Sequence, residues 1–336
     1  MRGRRGKFLV ELVLVNIFIV MGCSNGEVKK KEIKIGVTLY NQEDVFISSI
    51  TKEIEKKAKE LEEEKGVKIV VDLLDGKEDM SEQDNQVDNL IKQNYDVICV
   101  NIVDRTAGAN IIDKCKKENI PVIFFNREIV EDDMKRWGKV YYVGAQAKES
   151  GEMQGEILIE KYEKNRNRVD KNGDGKIQYA ILEGEQGHQD ATLRTEYCIK
   201  PLYKYGLDLE KVASEVGEWK KENAGIIMKE WLRNYEEKIE VIFSNNDEMA
   251  LGAMVAIDKF NERNNRTYKP IIIGVDGTEE GLKEVEKGNL AGTIISDAKK
   301  QGESILEIAY NLAMGLEESI EENTLRIPHK KIISNN

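Results

Sequence analysis

The sequence predicts an α/β protein built from two doubly wound parallel-sheet lobes. From Glu32 onward, short apolar runs alternate with amphipathic helical patterns, and this alternation is typical of βαβ units. The runs form two successive series. Because right-handed crossovers place helices on both faces of a parallel sheet, each series can build a lobe of its own.

The first series contains four predicted strands and leads to Asn126. The strands are "EIKIGVTLY", "VKIVVDLLD", "YDVICVNIV" and "PVIFFN". Between the first two strands, apolar residues recur at helical spacing, namely Ile47, Ile50, Ile54, Ala58 and Leu61. The order strand, helix, strand predicts a parallel pair joined by a crossover helix.

The second series contains five predicted strands separated by helical patterns. The strands are "IQYAILEGE", "KVASEVGE", "IEVIFSNND", "KPIIIGVDG" and "LAGTIIS". The helical patterns include "ENAGIIMKEWLRNY" and "DEMALGAMVAIDKF". The two series resemble each other in pattern but not in sequence, so the chain is not a solenoid of short repeats.

The composition is that of a globular chain large enough for two domains. Its 336 residues are 40% hydrophobic and 34% charged, which is not a disordered composition. The formal net charge is -11 at pH 7, and the lysines are interspersed with glutamates as on solvated helix faces. Since there is no basic footprint, we exclude nucleic acid as a partner.

The first 31 residues predict export. A basic start is followed by a mostly apolar run over residues 8–21 and then by Gly22 and Cys23, which outlines a signal peptide over residues 1–22. The ending "VMGC" resembles a bacterial lipobox, in which Cys23 would be lipidated and residues 23–31 would form a tether. An uncleaved membrane anchor or an ordinary signal peptide are the alternatives. Lipidation would place the protein on the outer face of the cytoplasmic membrane.

Cysteine usage predicts a fold without disulfides. After Cys23 the chain has Cys99, Cys115 and Cys198, an odd number without CxxC spacing. Cys99 lies in an apolar strand pattern and is predicted to be buried. A bridge between Cys99 and Cys115 is the alternative.

The stretch "DKNGDGKIQYAILEGEQGH" begins like an EF-hand loop but does not end like one. Asp170, Asn172 and Asp174 alternate and are followed by Gly175, as oxygen ligands and a sharp turn require. The twelfth position, where an EF-hand has a glutamate, is Ile181 in a strand pattern. From these residues alone, a solvated Asx turn is the alternative to a cation loop.

Polar side chains gather where the predicted strands end, which is where open α/β sheets bind ligands. The strand ends supply Asp44 and Phe46, Asn101, Glu185 and His188, Asn246, Asp276 and Ser296. The chain lacks a phosphate-binding GxxxxGK[ST] or GxGxxG motif, and it lacks the GxSxG and HExxH signatures of hydrolases. Carboxylates, amides and one guanidinium can instead satisfy the hydroxyls of a sugar. Phe46 and Trp219 are candidates to cover its apolar ring faces, or to pack in their own domains.

Together these segments resemble the bacterial glucose/galactose-binding proteins, the type I periplasmic sugar-binding proteins of ABC transporters. The likeness covers nearly all of the chain after the leader. It is carried by "IGVTLYNQEDVF", "VNIVD", "PVIFFNRE", "YYVGAQAKESGEMQGE", "DKNGDGKIQ", "EGEQGHQDATLRT", "KIEVIFSNNDEMALGA", "GVDG" and "LAGTIISDA".

The resemblance implies a set of binding residues. The sugar contacts fall on Asp44, Asn101, His188, Asp190, Arg194, Asn246 and Asp276, with Phe46 and Trp219 as the stacking pair. Ser296 stands where the family has an asparagine, which puts the sugar preference in doubt. A structural Ca²⁺ would be held by Asp170, Asn172, Asp174, the Lys176 carbonyl, Gln178 and the distant Glu240.

The resemblance also implies an arrangement and partners. The lobes would comprise residues 32–125 with 298–325, and residues 126–297 with 326–336, joined by a hinge of three crossings near Asn126, Asp297 and Arg326. The protein would be a monomer that carries D-galactose or D-glucose to the permease subunits of an ABC importer. It could also serve a chemosensory receptor system. A preference for a pentose is the alternative.

Two other functional classes fit the sequence less well. A sugar-acting enzyme could use paired carboxylates, but we expect Asp44, Asp190 and Asp276 to be ionised acceptors among amides and Arg194, not acids with raised pKa values. A sugar-responsive transcription regulator needs an N-terminal helix-turn-helix, whereas this chain begins with a leader. We therefore predict a binding protein without catalytic residues.

Overall fold

The computed structural model describes residues 32–316 and 320–335. The predictions about the leader, Cys23 and the tether lie outside the described residues. The described strands, in chain order, are β1 Glu32–Leu39, β2 Lys68–Asp75, β3 Val97–Val100, β4 Val122–Phe125, β5 Val140–Gly144, β6 Lys176–Glu183, β7 Asp208–Val216, β8 Val241–Ser244, β9 Ile271–Asp276, β10 Gly292–Ile295, β11 Thr324–Arg326 and β12 Lys330–Ile333.

The helices alternate with these strands as the patterns predict. They are α1 Val45–Lys65, α2 Met80–Lys92, α3 Gly108–Lys117, α4 Glu131–Met134, α5 Ala147–Lys164, α6 Arg166–Val169, α7 Gln189–Tyr197, α8 Lys200–Tyr205, α9 Lys221–Tyr235, α10 Asp247–Asn264, α11 Glu279–Lys287 and α12 Ala298–Ala313. The predicted helical spacing in α1 is confirmed, because Ile47, Ile50, Ile54, Ala58 and Leu61 are all buried.

The strands form two six-stranded sheets of matching topology. The first has the order β11-β5-β4-β3-β1-β2 and the second has the order β12-β10-β9-β8-β6-β7. All pairings are parallel except β10 with β12. In each sheet the order reverses beside its first strand, which opens a crevice at the carboxyl ends of the strands. The predicted fold class of two α/β lobes is confirmed.

The first change of sheet differs from the prediction. We expected the chain to leave the first lobe near Asn126, but β5 pairs with β4 through Val140 and Val143. The chain therefore passes to the second lobe between Gly144 and Ala147. The segment "VYYVG" is buried on both faces and lacks the polar alternation that marks a half-buried strand.

Two further changes of sheet follow, and the last of them lies beside the first. One falls between β10 and α12, where Ser296 N donates to Asp276 O over 3.1 Å. The last falls between β11 and β12, where Ile327 N donates to Gly144 O over 2.7 Å. Short crossing segments held side by side in this way can act as a hinge.

Each sheet is covered by helices on both faces. In the first lobe, α1 and α12 pack on one face around Ile35, Ile50 and Ile305, and the opposite face buries Val87 and Ile112 from α2 and α3. In the second lobe, α9 and α10 cover one face, while α5 and α8 cover the other. This packing fixes the strand ends that carry the polar side chains.

The described cysteines, Cys99, Cys115 and Cys198, are buried and free. The predicted absence of a disulfide is confirmed for them, and a bridge between Cys99 and Cys115 is excluded.

Within residues 32–316 and 320–335, no helix combines the length and the apolar character that crossing a membrane requires.

Candidate ligand-binding site

A cavity lies where the carboxyl ends of the two sheets face each other. The first lobe contributes Tyr40, Asp44, Phe46, Ile47, Asn126 and Arg127, and the second contributes His188, Asp190, Arg194, Trp219, Asn246 and Asp276. Eight of these residues were predicted from the sequence.

The start of α1 shapes the wall contributed by the first lobe. Asp44 caps this helix, and its Oδ1 accepts a hydrogen bond from Ile47 N over 2.9 Å. Its Oδ2 accepts a hydrogen bond from the Tyr40 hydroxyl. Phe46 follows in the first turn, so one helix start presents a carboxylate and an aromatic ring to the same cavity.

Arg127 is a cavity residue that the sequence analysis missed. Its guanidinium lies 3.5 Å from the centre of the Tyr40 ring, and its Nη1 donates to Val103 O over 3.1 Å. Its Nη2 reaches Glu185 in the other lobe, 2.6 Å from Oε2. Arg127 therefore lines the cavity and also joins the two lobes.

Arg194 is the central cation of the second-lobe wall. It is 5% exposed. Its Nη1 donates to Asn245 O over 2.8 Å, and its Nη2 donates to Asp190 Oδ2 over 3.3 Å. Nη1 also lies 3.6 Å from Asp276 Oδ1. Because Nε has no protein partner, the guanidinium keeps donor capacity for a ligand.

His188 and Trp219 pack edge to face, with ring centroids 5.2 Å apart and an interplanar angle of 77°. Burial, together with the nearby Arg127 and Arg194, holds the pKa of His188 well below its usual value, so the imidazole is neutral. Its Nδ1 accepts a hydrogen bond from Asp190 N over 3.0 Å, which places the ring proton on Nε2. Nε2 can therefore donate to a ligand oxygen.

The loop that carries Trp219 is held in a strained conformation. Glu218 and Trp219 have φ angles of 54° and 65°, in the left-handed region that L residues rarely adopt. Asn246 Nδ2 donates to Trp219 O over 3.1 Å. Gly184 gives the indole its room, because a Cβ there would collide with the ring.

Asn246 links this loop to α10. Asn246 caps this helix, and its Oδ1 accepts a hydrogen bond from Met249 N over 3.0 Å. Its Nδ2 donates the hydrogen bond to the Trp219 carbonyl. Each of these groups has one hydrogen-bonding position left for a ligand.

Our expectation that Asp190 and Asp276 do not have raised pKa values is wrong. Burial raises the pKa of Asp276 well above its usual value and also raises the pKa of Asp190, and the nearby Arg194 only partly opposes both shifts. Desolvation dominates because amides and guanidiniums do not replace bulk water around two buried carboxylates. Ionisation therefore does not distinguish this site from that of an enzyme.

Asn101 and Ser296 do not line the cavity. Asn101 is fully buried and uses its amide on neighbours, accepting from Tyr40 N over 3.4 Å and donating to Phe125 O over 3.1 Å. Ser296 is buried beside the hinge, and its Oγ has no protein partner. Both side chains are therefore buried outside the set of residues that line the cavity.

Three polar residues that the sequence analysis did not propose do line the cavity, namely Tyr40, Asn126 and Arg127. Tyr40 follows β1 directly, and Asn126 and Arg127 are the two residues that follow β4. The strand-end rule could have found them, but Tyr40 was included in the strand and Asn126 was assigned to the hinge.

The predicted cation loop lies between α6 and β6 on the far side of the second lobe. Glu240 is buried, and its Oε1 accepts from Lys171 N over 2.5 Å and from Asn172 N over 3.2 Å. Its Oε2 accepts from Gln178 N over 3.1 Å. The structure therefore brings the distant glutamate to the loop. Ile181, at the twelfth position of the EF-hand pattern, is buried in β6 among apolar side chains and cannot act as a ligand.

Several oxygens converge in this loop. Asn172 Nδ2 lies 3.2 Å from Asp174 Oδ2 and 3.0 Å from Gln178 Oε1. The buried Asp170 Oδ1 has no protein partner. Among the described residues, no three His, Cys, Asp or Glu side chains form a metal-binding group, so a cation here would need the amide and backbone oxygens as well. Such a mixed oxygen set suits Ca²⁺.

Comparison with known proteins identifies the family. The model of the periplasmic binding protein domain matches residues 35–317. The chain belongs to the periplasmic binding protein family. It is 36% identical over 310 residues to the D-galactose/methyl-galactoside binding periplasmic protein of Haemophilus influenzae, with 90% of each chain covered. It is 25% identical to the ribose import binding protein of Bacillus subtilis, covering 90% of this chain and 92% of the relative.

A solved structure shows the same architecture. The ABC transporter solute binding protein of Bacillus halodurans with bound myo-inositol superposes with a TM-score of 0.75 at 27% identity, covering 91% of this chain and 96% of that one. As a periplasmic binding protein, the chain is an extracytoplasmic solute-binding protein and not an enzyme. This confirms the resemblance noted in the sequence.

Contacts between the lobes surround the cavity of this binding protein. Besides Arg127 with Glu185, Gln189 Nε2 donates to Glu128 Oε2 over 3.2 Å. Lys220 Nζ lies 3.1 Å from Glu78 Oε1. Each pair joins one residue from each lobe, so closure of the cleft and formation of these pairs are coupled.

Proposed function

We propose that this protein captures a monosaccharide, D-galactose or D-glucose, between its lobes and delivers it to the permease of an ABC importer. The observation that carries the proposal is a cavity between the lobes that combines three carboxylates, two guanidiniums and a neutral imidazole with the aromatic rings of Phe46 and Trp219. Sugar hydroxyls both donate and accept, so such a mixed set can satisfy them together. The rings Phe46 and Trp219 come from opposite lobes and suit opposite faces of a pyranose.

The hexose assignment rests on similarity as well as on chemistry. The relative from Haemophilus influenzae, at 36% identity, is named for galactose and methyl-galactoside. Other relatives are named for ribose and D-xylose at 25% and 24% identity. A pentose is therefore the second candidate. Ser296 Oγ is buried and has no protein partner. A water molecule that bridges this hydroxyl to the ligand would alter the preference between hexose and pentose.

Tryptophan fluorescence tests the proposal. The chain has three tryptophans, and Trp219 alone of them lines the cavity in the described structure. Titration with galactose or glucose should change the emission of the unmodified protein and of a Trp137→Phe variant alike. The absence of a saturable change with any monosaccharide, in both proteins, would remove the basis of the proposal.

The ion pair between Arg127 and Glu185 should support closure on the sugar. Glu185 is 40% exposed, so its replacement by Gln should weaken sugar binding only by about 0.5 to 1 kcal/mol, or about two- to fivefold in Kd. Calorimetry measures the change. Glu196→Gln removes the pair between Lys200 and Glu196 within the second lobe and is the matched control, which should bind normally. Equal Kd values for the two variants would show that the ion pair between Arg127 and Glu185 does not contribute to sugar affinity.

We further propose that Cys23 is the acylated N-terminus that anchors the protein to the membrane, based on the basic start, the apolar run and "VMGC". A Cys23→Ala variant should move from the membrane fraction to the soluble fraction, because the anchoring acyl chains are lost. A Cys99→Ala variant is the control and should remain anchored. Retention of the Cys23→Ala protein in membranes would instead indicate an uncleaved anchor over residues 8–21.

We also propose that the loop from Asp170 to Gln178, with Glu240, holds a structural Ca²⁺. The support is the unpartnered buried Asp170 Oδ1 and the convergence of loop oxygens. Bound Ca²⁺ would neutralise these carboxylates and hold the start of β6.

The monomeric state and a link to a chemosensory receptor are further predictions that come from the resemblance alone.

Chelation should lower the thermal midpoint of the unmodified protein, since a ligand at 100 times its Kd stabilises the folded state by about 2.7 kcal/mol. A Glu240→Gln variant should show a much smaller difference between Ca²⁺ and chelator, and sugar affinity should change within about threefold because the loop is remote from the cleft. Differential scanning calorimetry gives the midpoints. Identical midpoints of the unmodified protein in Ca²⁺ and in chelator would rule out an occupied site.

A further inference from the structure

The loop that follows β9 is strained at the residue that carries a cavity carboxylate. Asp276 has a φ of 110°, and the next residue, Gly277, has a φ of 68°. A non-glycine residue in this region persists only where its surroundings hold it. The strain raises the question of what fixes the loop.

Asp247, at the start of α10, contacts this loop from behind the cavity. Its Oδ2 accepts from Thr278 N over 2.8 Å and from Thr278 Oγ1 over 3.3 Å. Its Oδ1 accepts from Thr293 Oγ1 over 2.7 Å. Thr293 Oγ1 in turn accepts from Gly277 N over 3.3 Å. The network therefore holds both residues that follow Asp276.

The fold makes room for this carboxylate. A Cβ on Gly274 or on Gly281 would collide with the Asp247 carboxyl group. Asp247 is fully buried, and burial raises its pKa to about 7 although hydrogen bonding to Thr293 and Thr278 opposes the shift. A buried carboxylate is a costly way to stabilise a core, where an apolar residue of similar size often does as well. The hydrogen bonds that Asp247 accepts from Thr278 and Thr293 point to a role in holding the loop beside the site.

We propose that Asp247 is a positioning residue that holds the loop from Asp276 to Thr278 so that the Asp276 carboxylate faces Arg194 and the ligand. It acts through Asp276 and does not itself line the cavity. The proposal rests on the proposed function, because it assumes that Asp276 binds the sugar. The neighbouring cap residue Asn246 acts differently, since it lines the cavity directly.

Calorimetry with the sugar that binds the unmodified protein best tests the proposal. Asp247→Ala should weaken binding by about 30- to 100-fold, because a displaced contact group loses most of its effect. Asp247→Asn should stay within about fivefold, since the amide can accept from Thr278 N and donate to Thr293 Oγ1. Asp258→Asn, an exposed position on the same helix, is the control and should bind normally.

A double-mutant cycle separates positioning from a general structural role. If Asp247 acts through Asp276, adding Asp247→Ala to Asp276→Ala should weaken binding by less than about threefold further. If the effects of the two substitutions on Kd multiply, the proposal is overturned. It is also overturned if the Asp247→Ala protein is folded and binds the sugar as tightly as the unmodified protein. If Asp247→Ala fails to fold, Thr293→Val takes its place in the cycle under the same criteria.

Crystal structures without sugar provide a readout that does not depend on the proposed function. In Asp247→Ala or Thr293→Val, the Asp276 carboxylate should leave its position beside Arg194, whereas in the unmodified protein it should keep it. An unchanged carboxylate in both variants would overturn the inference even if the protein bound no sugar. Absence of sugar binding by the unmodified protein would count against the proposed function alone.

Discussion

Replacing Asp276 with Ala should weaken sugar binding by roughly 2 to 5 kcal/mol, or about 30- to several-thousand-fold in Kd. Asp276 is buried at the end of β9, 3.6 Å from the Arg194 guanidinium. Its removal deprives bound hydroxyls of a charge-assisted acceptor and leaves Arg194 without this partner. Calorimetry measures the loss. Asp258→Ala, on the exposed side of α10, is the control. Affinity within threefold of the unmodified protein would show that Asp276 does not contact the sugar.

The same carboxylate predicts a pH dependence. In the empty protein burial raises the pKa of Asp276, with Asp247, Asp44 and Asp190 adding to the shift and Arg194 opposing it. Sugar hydroxyls that donate to the carboxylate favour its ionised form. Affinity should therefore fall as the pH is lowered through this raised pKa, and binding there should release protons. The Asp276→Asn variant should bind more weakly, and its affinity should depend less on pH. If the pH dependence of its affinity matched that of the unmodified protein, another group would be responsible for it.

Replacing Trp219 with Ala should weaken binding by about 1.5 to 3 kcal/mol, or about 10- to 150-fold in Kd. The indole forms one apolar side of the cavity, packs against His188 and lies 5.8 Å from the Arg194 guanidinium. Trp219→Phe keeps an aromatic face and should recover much of the affinity, while Trp137→Phe, away from the cavity, should have no effect. Calorimetry with all three variants measures these differences. If Trp219→Ala bound as tightly as Trp219→Phe, the indole would not cover the sugar ring.

The sequence predicted those features that depend on periodicity and on strand ends. Buried apolar residues at helical spacing located α1, and the strand-end rule located Asp44, His188, Asn246 and Asp276. Asp190 and Arg194 required the family resemblance, because an ion pair at i and i+4 has an ordinary structural explanation. Trp219 was a candidate from its loop context, with packing in its own domain as the alternative. Their convergence on one cavity needed both sheets in place.

Other features could not be predicted because they depend on side-chain direction. Asn101 follows a strand like Asn246, but its amide is used on Tyr40 and Phe125. Arg127 follows Asn126 in a segment assigned to the hinge, since the aromatic strand β5 gave no alternating pattern. Asp247 reads as an ordinary acidic residue in the first turn of a helix. Its contact with the loop after β9 becomes visible only when α10 and β10 are packed together.

Calorimetric titration of the unmodified protein with glucose, galactose, xylose and ribose tests the central claim most directly. Two polar walls and an aromatic face from each lobe, together with the similarity to a galactose-binding relative, predict a one-to-one isotherm with galactose or glucose, tighter than with either pentose, and no turnover of a glycoside. A clear isotherm with a pentose and no heat with either hexose would contradict the hexose assignment, and hydrolysis of a glycoside would contradict the account of a binding protein.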